Sequence, residues 1–227
     1  MITLDLQDSS TREVNRRLHR LAPDTNETAW RITNPQGAHS IAAGLTLPIS
    51  VEVDGHVGYY CAGMNKEACI TVKGHAGQGL AENIMSGTVR VTGNASQAAA
   101  ASGHGGLVVI EGDASSRCGI SMKGVDIVVG GSVGHMSAFM AQAGHLVICG
   151  DAGPDLGDSI YEAVIYLRGK AASLGSDCVE KEMTAAHRKT LAALLKRAEV
   201  DADPAEFRRY GSARQLYNFK IDNVGSY

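Results

Sequence analysis

The segment Gly87–Gly93 reads GTVRVTG, and Gly106–Gly112, one interval further on, reads GLVVIEG. Their closing glycines belong to a series, Gly55, Gly74, Gly93, Gly112, Gly131, Gly150 and Gly169, with a constant spacing of 19 residues. Four and two residues before each glycine stand Val51/Val53, Ile70/Val72, Val89/Val91, Val108/Ile110, Ile127/Val129, Leu146/Ile148 and Ile165/Leu167. All fourteen are apolar and twelve are β-branched, which at period two predicts a strand that buries one face. Three residues after each glycine the chain is small every time: Gly58, Gly77, Ser96, Ser115, Gly134, Gly153 and Ala172.

A 19-residue unit with one short strand cannot bury its apolar face alone and must stack on its neighbours. Helical repeats need longer periods and 3.6-residue periodicity, and leucine-rich repeats need a Leu/Asn frame. The remaining solution is a mainly β fold, a single-stranded parallel β-helix of about seven coils, roughly 29 Å from first to last at a strand spacing of about 4.8 Å. Glycine is expected at the corners for backbone freedom, and the small residues for close approach of successive coils.

The chain divides around this block. Residues 1–44 form an N-terminal helical flank and cap, 45–179 the β-helix, and 180–227 a C-terminal helical tail. Ser10-Thr-Arg-Glu13 is a capping box that opens a helix through about His19. Met183, Leu191, Leu194, Leu195 and Ala198 lie on one stripe of a second helix, running to about Val200. Asp203-Pro204-Ala205-Glu206 reads as the start of a short third helix that Gly211 ends. The ends of a β-helix would template aggregation, so flanks that cover them are expected.

Composition agrees. Of 227 residues, 27 are Gly and 5% are aromatic, so a core drawn from 44% hydrophobic residues must consist largely of Val, Ile, Leu, Ala and Met. A formal net charge of -3 offers no basic field for nucleic acid or an anionic membrane. No apolar run is long enough to span a bilayer and no leader is evident at Met1–Ser10, so the chain reads as cytoplasmic. The five cysteines, Cys61, Cys69, Cys118, Cys149 and Cys178, include no CxxC pair and read as free thiols.

Chemistry-bearing patterns are sparse. The outward position between the two buried strand residues runs Glu52, Thr71, Arg90, Val109, Val128, Val147, Tyr166. Its last four members would form an exposed apolar ladder needing a cover, either the chain's own C-terminal helix or a partner subunit. Val109, Val128, Val147 and Tyr166 are therefore candidates for facing a partner, and Tyr210 and Arg214 of the tail are further candidates. After the repeat glycine stand His56, His75, Asn94, Asp113, Ser132, Asp151 and Lys170. His56 and His75 fall on adjacent coils, within reach of a shared metal, but polar turn residues explain the column equally well. Gly74, Gly77 and Gly79 mimic a dinucleotide loop yet belong to the repeat. Asp155, Asp158 and Asp177 lie on a different segment of the coil from Arg168 and Lys170, against a lyase-like groove. No catalytic, cofactor or metal residue is assigned to this chain.

The coils GTVRVTG, GLVVIEG and GHLVICGD (Gly144–Asp151) resemble the glycine-rich GXGXG β-helix domain that closes the large subunit of glutamate synthase. That domain also occurs in the C subunit of formylmethanofuran dehydrogenase, and the likeness covers roughly residues 30–179. The stretch Phe207–Phe219 (FRRYGSARQLYNF) looks like the tail of stand-alone versions in split glutamate-synthase-like complexes, N-methylglutamate synthase of methylamine metabolism foremost. The resemblance implies a hetero-oligomer. A class II glutamine-amidotransferase-like subunit and an FMN-dependent glutamate-synthase-like subunit, which carries FMN and an iron–sulfur cluster, would be held by this chain as a non-catalytic scaffold. The lack of a Cys after Met1 and of clustered cysteines places both activities on partners. The competing readings are a subunit of a split glutamate synthase or a scaffold like the C subunit of formylmethanofuran dehydrogenase and, behind these, an independent β-helix enzyme acting on polysaccharide.

Overall fold

The computed structural model describes residues 1–214. The strands are β1 (Ile2–Asp5), β2 (Ala29–Thr33), β3 (Ser50–Asp54), β4 (Cys69–Val72), β5 (Thr88–Val91), β6 (Leu107–Ile110), β7 (Lys123–Val129), β8 (Ala143–Ile148), β9 (Val164–Leu167), β10 (Cys178–Lys181) and β11 (Arg208–Ser212). The helices are α1 (Thr11–His19) and α2 (Ala185–Arg197). One sheet holds all eleven strands, in the order β1 to β9, then β11, then β10. From β1 to β9 every pairing is parallel.

The repeat sets the register. Val51 lies opposite Ile70, Ile70 opposite Val89, Val89 opposite Val108, and so on to Leu146 opposite Ile165. A second line of bridges, Val57–Ala76–Ala95–Ala114–Val133–Ala152–Ala171, keeps the same step and makes the second side of the coil. The predicted parallel β-solenoid is the fold.

The third side has left-handed backbone. Ala62, Ala81, Ala100, Gly119, Ala138 and Gly157 stack there with φ of 53° to 69°, buried and donating across the coil, as in Ala100 N to Leu80 O at 2.7 Å. Each alanine in that conformation costs on the order of 1 kcal/mol, offset by the inter-coil hydrogen bonds. Only small side chains fit so close to the axis.

This relocates the reason for the repeat glycines. Of the seven, Gly55 alone has positive φ. The others are required by approach: a Cβ on Gly74 would lie 2.7 Å from the Gly55 carbonyl carbon, and one on Gly150 2.5 Å from Ser132 Oγ. Besides that backbone, the crowding side-chain atoms belong to a polar spine. His56 Nδ1 accepts from His75 N (2.9 Å), His75 Nδ1 from Asn94 N (2.8 Å), and Asn94 Oδ1 from Asp113 N (3.0 Å). Asp113 Oδ1, Ser132 Oγ and Asp151 Oδ1 continue it to Ser132, Asp151 and Lys170. Each side chain reaches one coil up to bond the backbone just past the next glycine, and a Cβ on that glycine would block it.

Residues 1–44 carry more than a flank. α1 begins with the expected capping box of Ser10 and Glu13, but β1 and β2 extend the solenoid sheet. They lie off the 19-residue frame because Trp30 faces Val51, a step of 21, and Ile2 faces Trp30, a step of 28. α1 covers the backbone beside them: Asn15 Nδ2 donates to Ser40 O (2.7 Å) and its Oδ1 accepts from Ala42 N (2.9 Å), standing in for a further coil.

The C-terminal end differs from expectation too. Asp203 caps as read, its Oδ1 accepting from Ala205 N (2.9 Å), but the helix is a single 3-10 turn, Pro204–Glu206. Gly211 lies inside β11 instead of ending a helix. The last parallel strand offers an unpaired edge, and satisfying it outweighs the local helix signal. β11 adds to β9 antiparallel, and β10 adds to β11.

Candidate functional site: the helix-covered ladder

The outward ladder is the most distinctive surface the coils create. Val109, Val128, Val147 and Tyr166 are fully buried beneath α2, packed with Leu191, Leu194, Leu195, Ala198 and Phe207. The four helix residues fall at i, i+3, i+4 and i+7, one face of a helix. The reach fits: 13 residues at about 1.5 Å each is roughly 20 Å, against roughly 19 Å for the four strand spacings from β9 to β5.

Polar contacts fasten both ends. At the C-terminal end, Arg90 Nη2 donates to Ala198 O (2.9 Å), placing a cation where the helix dipole is negative. Its other nitrogen donates to Glu111 (2.9 Å). In the last turn, Arg197 Nη1 donates to Asp126 Oδ2 (2.8 Å), and Asp126 Oδ1 meets His145 Nδ1 at 2.8 Å. Burial raises the Asp126 pKa, but the hydrogen bonds from His145 and Arg197 outweigh it and hold the carboxyl below its ordinary value. At the N-terminal end Thr184 caps the helix. Arg209 Nε donates to Glu182 O (2.8 Å) and its Nη1 to His187 Nε2 (3.1 Å).

Aromatic rings line the space between. The Tyr166 ring stacks on His145 with centroids 6.1 Å apart and meets His187 edge-on at 6.5 Å. Its hydroxyl is buried without a hydrogen-bond partner among the described residues. Burial pushes the phenol pKa up, partly offset by the Arg209 charge.

Asp126 and His145 have the geometry of a carboxylate orienting an imidazole. Cys149, in the same apolar layer, has its thiol pushed up by burial, the reverse of what an attacking thiolate needs. The cysteines Cys61 and Cys118, deep in the coil, are pushed up to about 12. Among the described residues no group of three or more His, Cys, Asp or Glu side chains is arranged to hold a metal ion. The His56 and His75 rings stack at 4.8 Å, and both Nδ1 atoms are engaged in the spine. What the arrangement does is lock a helix onto a sheet.

No family model matches the chain. Protein GlxC of Rhizobium meliloti (strain 1021) is 57% identical over 228 residues, covering 100% of both chains. The chain belongs to the GlxC family. Whatever this family presents to other molecules, in this member the apolar ladder is not part of it. Val109, Val128, Val147 and Tyr166 were candidates for a partner, and the chain's own α2 covers them. Tyr210 is equally unavailable, 4% exposed within β11. Arg214 is exposed and pairs with Asp177 beyond the end of β11. The seven repeat glycines all sit at the corner. Residues 215–219 of the FRRYGSARQLYNF stretch lie outside the described residues.

Sequence reasoning missed the fasteners Asp126, His145, Arg197 and Arg209. Asp126 and His145 stand 19 residues apart in one column, a detectable coincidence. Arg197 and Arg209 carry no such mark. Among the described residues, no helix is long and apolar enough to cross a membrane.

Proposed function

We propose that this chain is the β-solenoid scaffold of a heteromeric glutamate-synthase-like complex, in its specific form N-methylglutamate synthase, which exchanges methylamine and ammonia on glutamate. The observation that carries the reading is the unbroken stack of GXGXG-like coils from β3 to β9. The full-length match to Protein GlxC fits it. An amidotransferase-like subunit and an FMN and iron–sulfur subunit would bind surfaces other than the apolar ladder, which α2 occupies. The exposed face of α2 and the open strands β2 to β5 supply rigid surface for them, since solenoids present stacked side chains at fixed spacing.

Affinity purification of the tagged chain from its native host tests this. Co-purification of both partners, with a flavin absorbance band, is expected; recovery of the chain alone would overturn the scaffold. The purified assembly given glutamate and methylamine should yield N-methylglutamate and ammonia. Glutamate formed from glutamine and 2-oxoglutarate instead would assign a split glutamate synthase.

A further inference from the structure

The sheet forks at its C-terminal end. β11 faces β9 through Arg208, Arg209 and Tyr210, opposite Leu167, Tyr166 and Ile165, yet stays paired with β10 through Ser212. In the fork a cleft of about 210 Å³ opens, lined by Tyr161, Glu162, Lys181, Arg209, Gly211 and Arg214 among others.

The charge there is unusual. Lys181 and Arg209 are direct cross-strand partners, and two like charges so placed destabilise a strand pair. Among the described residues neither forms an ion pair. Arg209 spends its hydrogen bonds on the Glu182 carbonyl and the His187 ring, and the Glu162 carboxylate lies beyond ion-pair distance of both. Arg214, tied to Asp177, adds a third cation at the rim. The Lys181 stem lies along Gly211, where a Cβ would be in van der Waals contact with its Cδ at 3.7 Å.

We infer that this cleft binds a carboxylate, held between the Lys181 ammonium and the Arg209 guanidinium. Paired cations in a partly enclosed cleft bind such a group through charge-assisted hydrogen bonds. The carboxylate is either that of a free small acid or a Glu or Asp side chain of a bound protein. The site does not depend on the assembly proposed above.

The test is an NMR titration of the ¹⁵N-labelled full chain with glutarate, with a capped tetraglutamate peptide, and with neutral glutaramide. Saturable shifts at the Gly211 and Ser212 amides are expected with glutarate or the peptide and not with glutaramide. Lys181→Gln should weaken binding by about tenfold at an unchanged melting temperature, and Lys181→Arg should restore it. Response to glutarate assigns a free acid, and response to the peptide alone a partner protein. Absence of saturation with both acids, an equal response to glutaramide, or unchanged affinity in Lys181→Gln would each overturn the site. Should Lys181→Gln melt early, the contrast between glutarate and glutaramide in Lys181→Arg decides.

Discussion

The two halves of the outer sheet face share a backbone and differ in what they show the outside. From β2 to β5 the outward column is Arg31, Glu52, Thr71, Arg90, and it is dressed by exposed ion pairs of Arg31 with Asp54 and of Lys73 with Glu52. From β6 to β9 it is Val109, Val128, Val147, Tyr166, and α2 lies over it. The change falls between Arg90 and Val109, where Arg90 donates to the Ala198 carbonyl at the C-terminal end of the helix. Identical coils can thus be half solvent-facing sheet and half helix-packed layer, one side chain per coil deciding which. The polar half stays legible as surface, while the apolar half is legible only as surface in need of a cover.

The largest test of that difference is a charge placed in each half. Val128→Asp buries an unpaired carboxylate under α2 and should cost about 3 kcal/mol or more, read as a fall in urea midpoint. Thr71→Asp in the open half, with Arg90 as its cross-strand neighbour, should stay within about 0.5 kcal/mol. Equal effects would mean that the ladder is not covered in solution. Leu191→Ala, which removes the apolar contact from the helix side, should cost about 2–4 kcal/mol, with α2 amides exchanging faster than those of β3 and β4. The corner glycines should be indifferent to which half they serve. Gly74→Ala and Gly150→Ala each force a Cβ into the backbone of the coil below and should cost about 1–3 kcal/mol; a tolerated alanine at either would refute close approach as the reason for glycine there.

How much of this could be read in advance follows from which interactions recur. Val51 to Leu167 recur every 19 residues, so the solenoid, its register and its buried face were plain. α2 was visible from Leu191, Leu194, Leu195 and Ala198, but its destination was not, because a stripe shows that a helix needs a surface without saying which one. β1 and β2 escaped because steps of 28 and 21 break the period. β11 escaped because a sheet edge, a tertiary feature, overrode the local Asp-Pro start. The left-handed alanines escaped because alanine at positive φ is intrinsically disfavoured and only the stacking makes it worthwhile.

Titration sharpens the comparison further, since Asp126 and His187, both with lowered pKa values, lie in the covered half. Asp126 has a folded pKa below its ordinary 3.8, so its stabilising effect is full well above pH 4 and lost as the pH falls through the folded value. Asp126→Asn should remove on the order of 1 kcal/mol at pH 7, and the gap to the native chain should close below pH 4. His187 acts in the same direction in a higher window. Burial, then the charges of Arg209 and His145, lower its pKa from 6.5. The folded chain therefore takes up its proton later than the unfolded one, and stability begins to fall as the pH drops below about 6.5. His187 faces Arg209, Thr184 and the Tyr166 ring, with His145 across that ring and Asp126 behind it. A protonated His187 can no longer accept from Arg209, so the N-terminal turn of α2 should loosen first. Amide exchange at Leu191 should quicken between pH 7 and 5 while Val53 in the open half holds constant, and His187→Gln should flatten the difference. A pH response shared equally by the two halves would place the titrating group elsewhere.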